Sequence, residues 1–150
     1  MTLAITNVVL DEARVFFEER GSVGCEGTAM ISASNGGVAA KLVIPDQRAG
    51  AVPHCWVEVT RAGKSELAAA LQRDDRYVAR IHSHPGQAFH SLTDDDNPAI
   101  TYPGAVSIVV PFFGLGLRHG LDACAVFVRS DGRWVELLPG PDRDALVVSR

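Results

Sequence analysis

Apolar and polar positions along this chain recur with two different periods, and each period predicts one kind of element. Over residues 9–17, apolar side chains return every three or four positions, and charged residues fill the other side. This is the spacing of an amphipathic helix. Thr6 or Asn7 is a good N-cap for it, and Arg20-Gly21 marks its end.

Shorter runs that alternate or are wholly apolar predict strands. The predicted strands cover residues 3–5, 28–33, 38–44, 55–59, 77–82, 105–110, 121–128 and 134–138. An Ala/Leu-rich run predicts a second helix over 65–72 with Ser65 as its cap, and a short helix is expected between Asp94 and Tyr102. Glycine-rich turns at 35–37 and 131–132 join neighbouring strands into hairpins. Strands mostly in hairpins, with helices between the groups, indicate an α+β or mixed α/β class.

The remaining segments predict less. Residues 112–120 form an apolar, glycine-spaced loop. Part of it, residues 112–117, is either a flap that grips a substrate or a loop that packs on its own core. The residues after 138 show no pattern that predicts an element.

Composition narrows the function classes. The 150 residues are most simply one domain, 1–150, with 47% apolar and 21% charged residues. The net charge of −4, without a Lys/Arg cluster, argues against a nucleic-acid partner. No apolar run is long enough for a bilayer, so no membrane partner is expected. Three cysteines without a CxxC pair, and no secretion signal, favour a reduced, cytoplasmic protein.

The candidate chemistry lies where the strand over 77–82 ends. His82 and His84 are two residues apart, so both side chains point to one face of an extended strand. Asp94 can add a third ligand after a Pro-Gly turn, which predicts a catalytic zinc site with one open position. Such a site also needs a carboxylate that moves protons and a donor for the oxyanion. Glu26 is the best candidate for the first role, and Ser91 for the second.

These residues resemble the signature of the JAMM/MPN metalloproteases, also called the JAB domain. That signature is an early glutamate, then His-Ser/Thr-His-Pro, then Ser-x-x-Asp, here Glu26, 82–85 and 91–94. The resemblance implies that His82, His84 and Asp94 hold one zinc ion. Glu26 would then be the general acid/base for a zinc-bound water, and Ser91 would stabilise the tetrahedral intermediate. It also implies a mostly antiparallel, curved sheet flanked by helices, a cytidine-deaminase-like architecture.

The same resemblance implies a substrate class and partners. Family members hydrolyse the bond after the C-terminal tail of a ubiquitin-like protein, and bacterial members often act beside activating-type enzymes. One alternative is the release of cysteine or short adducts from a sulfur-carrier protein, or the cleavage of cell-wall or phage-tail peptides. Another is a non-catalytic MPN scaffold.

One departure from the signature affects two of these assignments. Five residues, 86–90, separate Pro85 from Ser91. Eukaryotic members usually have a longer loop, which would move the Ser-Asp pair to Thr93 and Asp96. Asp95 and Asp96 therefore remain alternative ligands, and Ser91 is also a possible cap of the helix that follows.

Overall fold

The structure, a computed structural model, describes residues 2–34, 37–89 and 100–150. Its strands are β1 (Leu3–Ile5), β2 (Thr28–Ala33), β3 (Val38–Val43), β4 (Gln47–Gly50), β5 (Trp56–Val59), β6 (Arg76–Ser83), β7 (Val106–Val110), β8 (Ala125–Ser130), β9 (Arg133–Leu137) and β10 (Val147–Ser149). Its helices are α1 (Asn7–Gly21), α2 (Arg61–Ala70) and α3 (Pro141–Leu146), and a 3₁₀ segment covers Phe112–Ala123.

The sheet is mixed, and antiparallel pairs are the majority. Eight strands lie in the order β10-β1-β3-β2-β6-β7-β8-β9, while β4 and β5 form a separate hairpin. Four of the seven neighbouring pairs within the described ranges are antiparallel, and β10–β1, β1–β3 and β6–β7 are parallel. The predicted class, a mixed α/β fold with a mostly antiparallel sheet flanked by helices, is confirmed.

The main core lies between one face of this sheet and the helical elements that cover it. Thr6 caps α1, because its Oγ1 accepts a hydrogen bond of 3.2 Å from the Val9 amide. Val9 and Phe17 on α1 are fully buried, as the apolar period predicted. They belong to one cluster with sheet residues such as Ile31 and Ile81 and with Leu117 of the 3₁₀ segment. The helix and the 3₁₀ segment therefore share one face of the sheet.

The second helix differs from its prediction. It covers Arg61–Ala70, so Ser65 lies inside it. The cap is Thr60, whose Oγ1 accepts a hydrogen bond of 3.0 Å from the Gly63 amide. The Ala/Leu composition marks only the part with high helix propensity, whereas a side-chain cap decides where the helix begins.

Two later regions also differ from their predictions. The predicted apolar loop at 112–120 is part of the 3₁₀ segment, which continues to Ala123. The strand predicted over 121–128 therefore begins only at Ala125, as β8. The residues after 138 form α3 and β10, and β10 pairs in parallel with β1. This pairing is non-local, so no period within the tail reveals it. The helix expected between Asp94 and Tyr102 lies mostly outside the described residues, and 100–102 are not helical.

The antiparallel pairing of β2 with β3 agrees with the hairpin predicted around 35–37, although residues 35 and 36 themselves are not described. Across residues 2–34, 37–89 and 100–150, no helix combines the length and apolar character needed to cross a membrane.

A glutamine side chain completes the backbone pairing at the start of β2. The Gln47 Oε1 accepts a hydrogen bond from the Thr28 amide, and the Gln47 Nε2 donates one to the Thr28 carbonyl, both at 2.9 Å. Thr28 precedes the first β2 residue that pairs with β3, Met30. The side-chain amide therefore takes the place of a neighbouring strand at this position.

An ion-pair cluster joins α1 to the 3₁₀ segment. Glu18 accepts hydrogen bonds from Arg14 at 2.5 Å and from Arg118 at 2.5 and 3.0 Å. Burial alone would raise the pKa of Glu18, but these hydrogen bonds and the two positive charges outweigh it and hold the pKa below 4.5. The carboxylate form is therefore stabilised by folding.

We expect Glu18→Gln to lower the free energy of unfolding by about 0.5–1 kcal/mol at pH 7, since the cluster is partly exposed. A lowered folded-state pKa adds stability above the unfolded-state pKa and loses it as the pH falls through the folded-state value. In urea unfolding, the difference between wild type and variant should thus shrink as the pH falls below 4.5 and through the lowered folded-state pKa of Glu18. Glu12→Gln, on the exposed side of the same helix, is the control. A difference that does not change with pH would contradict this assignment.

Candidate metal centre

The predicted site forms where β2 begins and β6 ends. These two strands are antiparallel neighbours, and Thr28 of β2 pairs with His82 of β6. Glu26 lies two residues before β2, and His84 directly follows β6. The pairing of β2 with β6 therefore brings Glu26 to the same end of these strands as His82 and His84, although Glu26 is more than fifty residues away in sequence.

The two histidines face each other at short range. Their side chains share one face, as the two-residue spacing predicted, and the two Nε2 atoms lie 3.2 Å apart. Each histidine is only 5% exposed. In two neutral imidazoles one Nε2–H can donate to the other Nε2. When both rings carry their proton on Nδ1 instead, both Nε2 lone pairs can bind one metal ion.

The glutamate lies beside this pair. Glu26 is 9% exposed, and its Oε2 is 4.0 Å from the Nε2 of His84. A buried carboxylate at this distance from an imidazole is close enough to exchange a proton with a small molecule held between the two groups. The geometry therefore agrees with the role predicted for Glu26, which stays a prediction.

Ser83 ties the glutamate segment to the histidine strand. Its Oγ accepts a hydrogen bond of 2.9 Å from the Gly27 amide, and its own amide donates one of 3.0 Å to the Gly27 carbonyl. Ser83 is fully buried. These two bonds fix the residue after Glu26 against the residue between the two histidines.

The backbone of His84 is held from the other side by the chain after β7. The His84 amide donates to the Val110 carbonyl at 2.9 Å, and the His84 carbonyl accepts from the Phe113 amide at 2.8 Å. The Phe112 amide donates to the Gly86 carbonyl at 2.9 Å. Phe112 is half-exposed and Leu117 is buried, so part of the segment 112–117 packs on the core. A role of this segment in gripping a substrate stays a prediction.

Two neighbours set the surroundings of the site. The Phe89 ring meets the His84 ring edge to face, with centroids 4.7 Å apart. Burial raises the pKa of the Cys55 thiol, and the negative charge of Glu26 raises it further. Both effects favour the neutral form of the Cys55 thiol.

Two of the three predicted zinc ligands, His82 and His84, lie in the described residues, and their geometry suits a zinc ion. Two nitrogens bound tetrahedrally to one zinc at about 2.0–2.1 Å lie about 3.3 Å apart. The observed separation of 3.2 Å agrees with this value. Ser91 and Asp94 lie outside the described residues, as do Thr93, Asp95 and Asp96. Within the part of the chain that the structure describes, no three His, Cys, Asp or Glu side chains gather to hold a metal.

Comparisons with known proteins agree in part with this picture. No protein-family model matches the chain. A probable metalloprotease from Sinorhizobium fredii, y4jG, is 56% identical over 36 residues, which cover 24% of this chain and 22% of that protein. This chain thus matches only about a fifth of that relative's length.

Solved structures match over nearly the whole chain. A JAB1/MPN domain protein from Archaeoglobus fulgidus has a TM-score of 0.52 at 17% identity, with 98% of both chains covered. The fold is that of a JAB1/MPN domain. Proteins from Desulfitobacterium hafniense (TM-score 0.59, 12% identity, 98% of this chain and 92% of that one) and Salinibacter ruber (0.54, 18%, 97% and 94%) are also similar.

In this JAB1/MPN fold, a buried polar group next to the site was missed from the sequence. Arg80 precedes His82 by two residues on β6, so it shares the same face of the sheet. It is 6% exposed, its Nε donates to the Ser107 Oγ at 2.8 Å, and its guanidinium lies 4.8 Å from the Trp134 ring centroid. The sequence does carry one signal for it, because Arg80 is a single positive charge inside an otherwise largely apolar strand.

We expect Ser83→Ala to lower the free energy of unfolding by about 1–3 kcal/mol, because the buried Gly27 amide then loses its acceptor. Urea unfolding of the variant and wild type measures this. Ser65→Ala, at an exposed position of α2, is the matched control and should change stability by less than about 0.5 kcal/mol. Equal effects of the two substitutions would show that the Ser83 hydroxyl does not hold the glutamate segment.

Proposed function

We propose that this protein is a zinc-dependent metallopeptidase of the JAMM type that acts as an isopeptidase on the C-terminal tail of a ubiquitin-like protein. One observation carries the proposal. Two buried imidazoles converge at 3.2 Å with a buried carboxylate 4.0 Å away, inside a JAB1/MPN fold. The short match to a probable metalloprotease supports the same class.

His82 and His84 would hold the metal from one strand end, with Asp94 as the expected third ligand. Zinc, when bound, supplies a Lewis acid and lowers the pKa of a coordinated water to about 7. The burial of both imidazoles excludes bulk water from one side of the site, and Ser83 and the chain after β7 fix the backbone on both sides of it.

Glu26 would move the proton. As a carboxylate it accepts the proton that the attacking water loses, and as an acid it returns this proton to the amine when the carbon–nitrogen bond breaks. Water and the amide are consumed, and a carboxylic acid and an amine are released, so the glutamate ends unchanged. Ser91 would donate a hydrogen bond to the oxyanion that forms at the scissile carbonyl.

The test uses the full chain with three kinds of substrate. These are a ubiquitin-like protein whose tail is joined to lysine, a sulfur-carrier protein whose tail is joined to cysteine, and cell-wall peptides. We expect about one zinc per chain, cleavage of the lysine-linked tail, loss of cleavage with a chelator and recovery with added zinc. Preference for the cysteine-linked tail or the cell-wall peptide would replace the substrate assignment. Bound zinc without cleavage of any substrate would instead support a scaffold.

A further inference from the structure

The chain after β7 adopts a backbone conformation that non-glycine residues rarely adopt. Phe112 and Phe113 have φ values of 56° and 52°, in the left-handed region. This conformation is unfavourable for side chains with a Cβ, so neighbouring contacts must maintain it. At these two residues the turned backbone directs both amides to the histidine loop, where they bond to the carbonyls of Gly86 and His84.

Phe113 also contacts the end of α1. A Cβ built on Gly21 would overlap the Phe113 Cβ and lie 2.9 Å from its Cγ and 3.3 Å from its carbonyl oxygen. Gly21 does not have a positive φ, so its backbone conformation does not require glycine. Glycine is needed here because Phe113 lies too close for a Cβ. Its carbonyl accepts a hydrogen bond of 2.9 Å from the Gly24 amide, in the turn that leads to Glu26.

These contacts connect the two halves of the site by a second route. The first route is Ser83, which bonds directly to Gly27. The second runs from the α1 end through the Phe113 side chain, and from the Phe113 amide to the His84 carbonyl. Phe113 thus touches the segment before Glu26 with its Cβ and the backbone of His84 with its amide.

We propose that Phe113 is a positioning residue that, through its contact with Gly21, sets the place of the His84 imidazole relative to Glu26. The proposal rests on the proposed zinc site for its functional meaning, but the placement of His84 is a property of the metal-free chain as well. A larger residue at position 21 pushes Phe113 outward and carries His84 with it.

The test variant is Gly21→Ala in the full chain. We expect the zinc affinity, measured by competition with a chromophoric chelator, to fall about 10–100-fold, the range found when supports of metal ligands are lost. The control is Gly63→Ala in α2, where an added Cβ would overlap the Asp46 carbonyl, away from the site. It introduces a similar collision, so it should lower stability and leave the zinc affinity unchanged.

The rescue variant is Gly21→Ala combined with Phe113→Gly. Glycine at 113 keeps the amide donor, accepts the positive φ and removes the colliding Cβ. We expect the double variant to bind zinc within about threefold of Phe113→Gly alone, because Gly21→Ala then has no Cβ to collide with. If the two positions acted independently, Gly21→Ala would weaken zinc binding by the same factor in both backgrounds. If Gly21→Ala does not fold, the double variant carries the test. An unfolded double variant, or one that binds zinc more than about tenfold more weakly than Phe113→Gly alone, overturns the proposal.

Histidine resonances in the metal-free protein separate this inference from the proposed function. We expect Gly21→Ala to shift the imidazole signals of His84 and to leave those of exposed His54 and His119 in place. If wild type binds no zinc, the zinc site fails and these signals alone decide the positioning role. Unshifted His84 signals overturn it.

Discussion

Replacing His82 with alanine is expected to lower the zinc affinity of the protein by more than about 100-fold. Removing a group that only supports a ligand already costs about 10–100-fold, and a ligand contributes more. The 3.2 Å separation of the two Nε2 atoms means that His82 and His84 converge on one point, so either substitution removes half of this pair. The measurement is zinc content after dialysis, together with competition against a chelator.

His54→Ala is the control for this experiment. His54 is exposed and follows β4, so the same chemical change there should leave zinc content at the wild-type level. Equal zinc content in His82→Ala and His54→Ala would mean that the paired imidazoles do not bind the metal, and the zinc site would have to be abandoned.

The second large effect concerns catalysis without metal loss. We expect Glu26→Gln to lower kcat about 10²–10⁴-fold, because the amide has nearly the same shape as the carboxylate but cannot accept and return a proton. Zinc content should stay near wild type, since Glu26 is predicted to act on the substrate's proton transfers and not as a ligand. Single-turnover cleavage of the lysine-linked tail, beside metal analysis, measures both quantities.

Glu66→Gln, on the exposed side of α2, is the control for this charge change. It should retain wild-type turnover. A Glu26→Gln variant that loses its zinc would make the glutamate a ligand instead, and one that keeps full turnover would exclude it as the proton-transfer group.

Local patterns were sufficient for the elements that build this site. In α1 and in the strand before His82, the apolar residues repeat with the period of the buried face. This period lies within a short stretch of sequence, so it predicts both elements. The two-residue spacing of the histidines likewise fixes a common face without any knowledge of the fold. Glu26 was found through its place before the first long strand, and the β2–β6 pairing accounts for its proximity to the histidines.

Tertiary contacts decide the features that the sequence did not predict. Ser83 stands inside the histidine motif, but its partner is Gly27 and no local pattern names it. The left-handed turn at Phe112 and Phe113 occurs in residues that normally avoid it, so residue preference predicts the opposite. The pairing of β10 with β1 joins the two ends of the described chain, and no short window contains both partners.

The amide of Gln47 has a consequence for how an extended peptide approaches the glutamate. A peptide that aligned with β2 at Thr28 would find the amide and carbonyl of that residue already bonded. It would have to displace the glutamine, exchanging two hydrogen bonds for two others, with no net gain in their number. An extended peptide would therefore gain no backbone hydrogen bonds by pairing with β2 at Thr28.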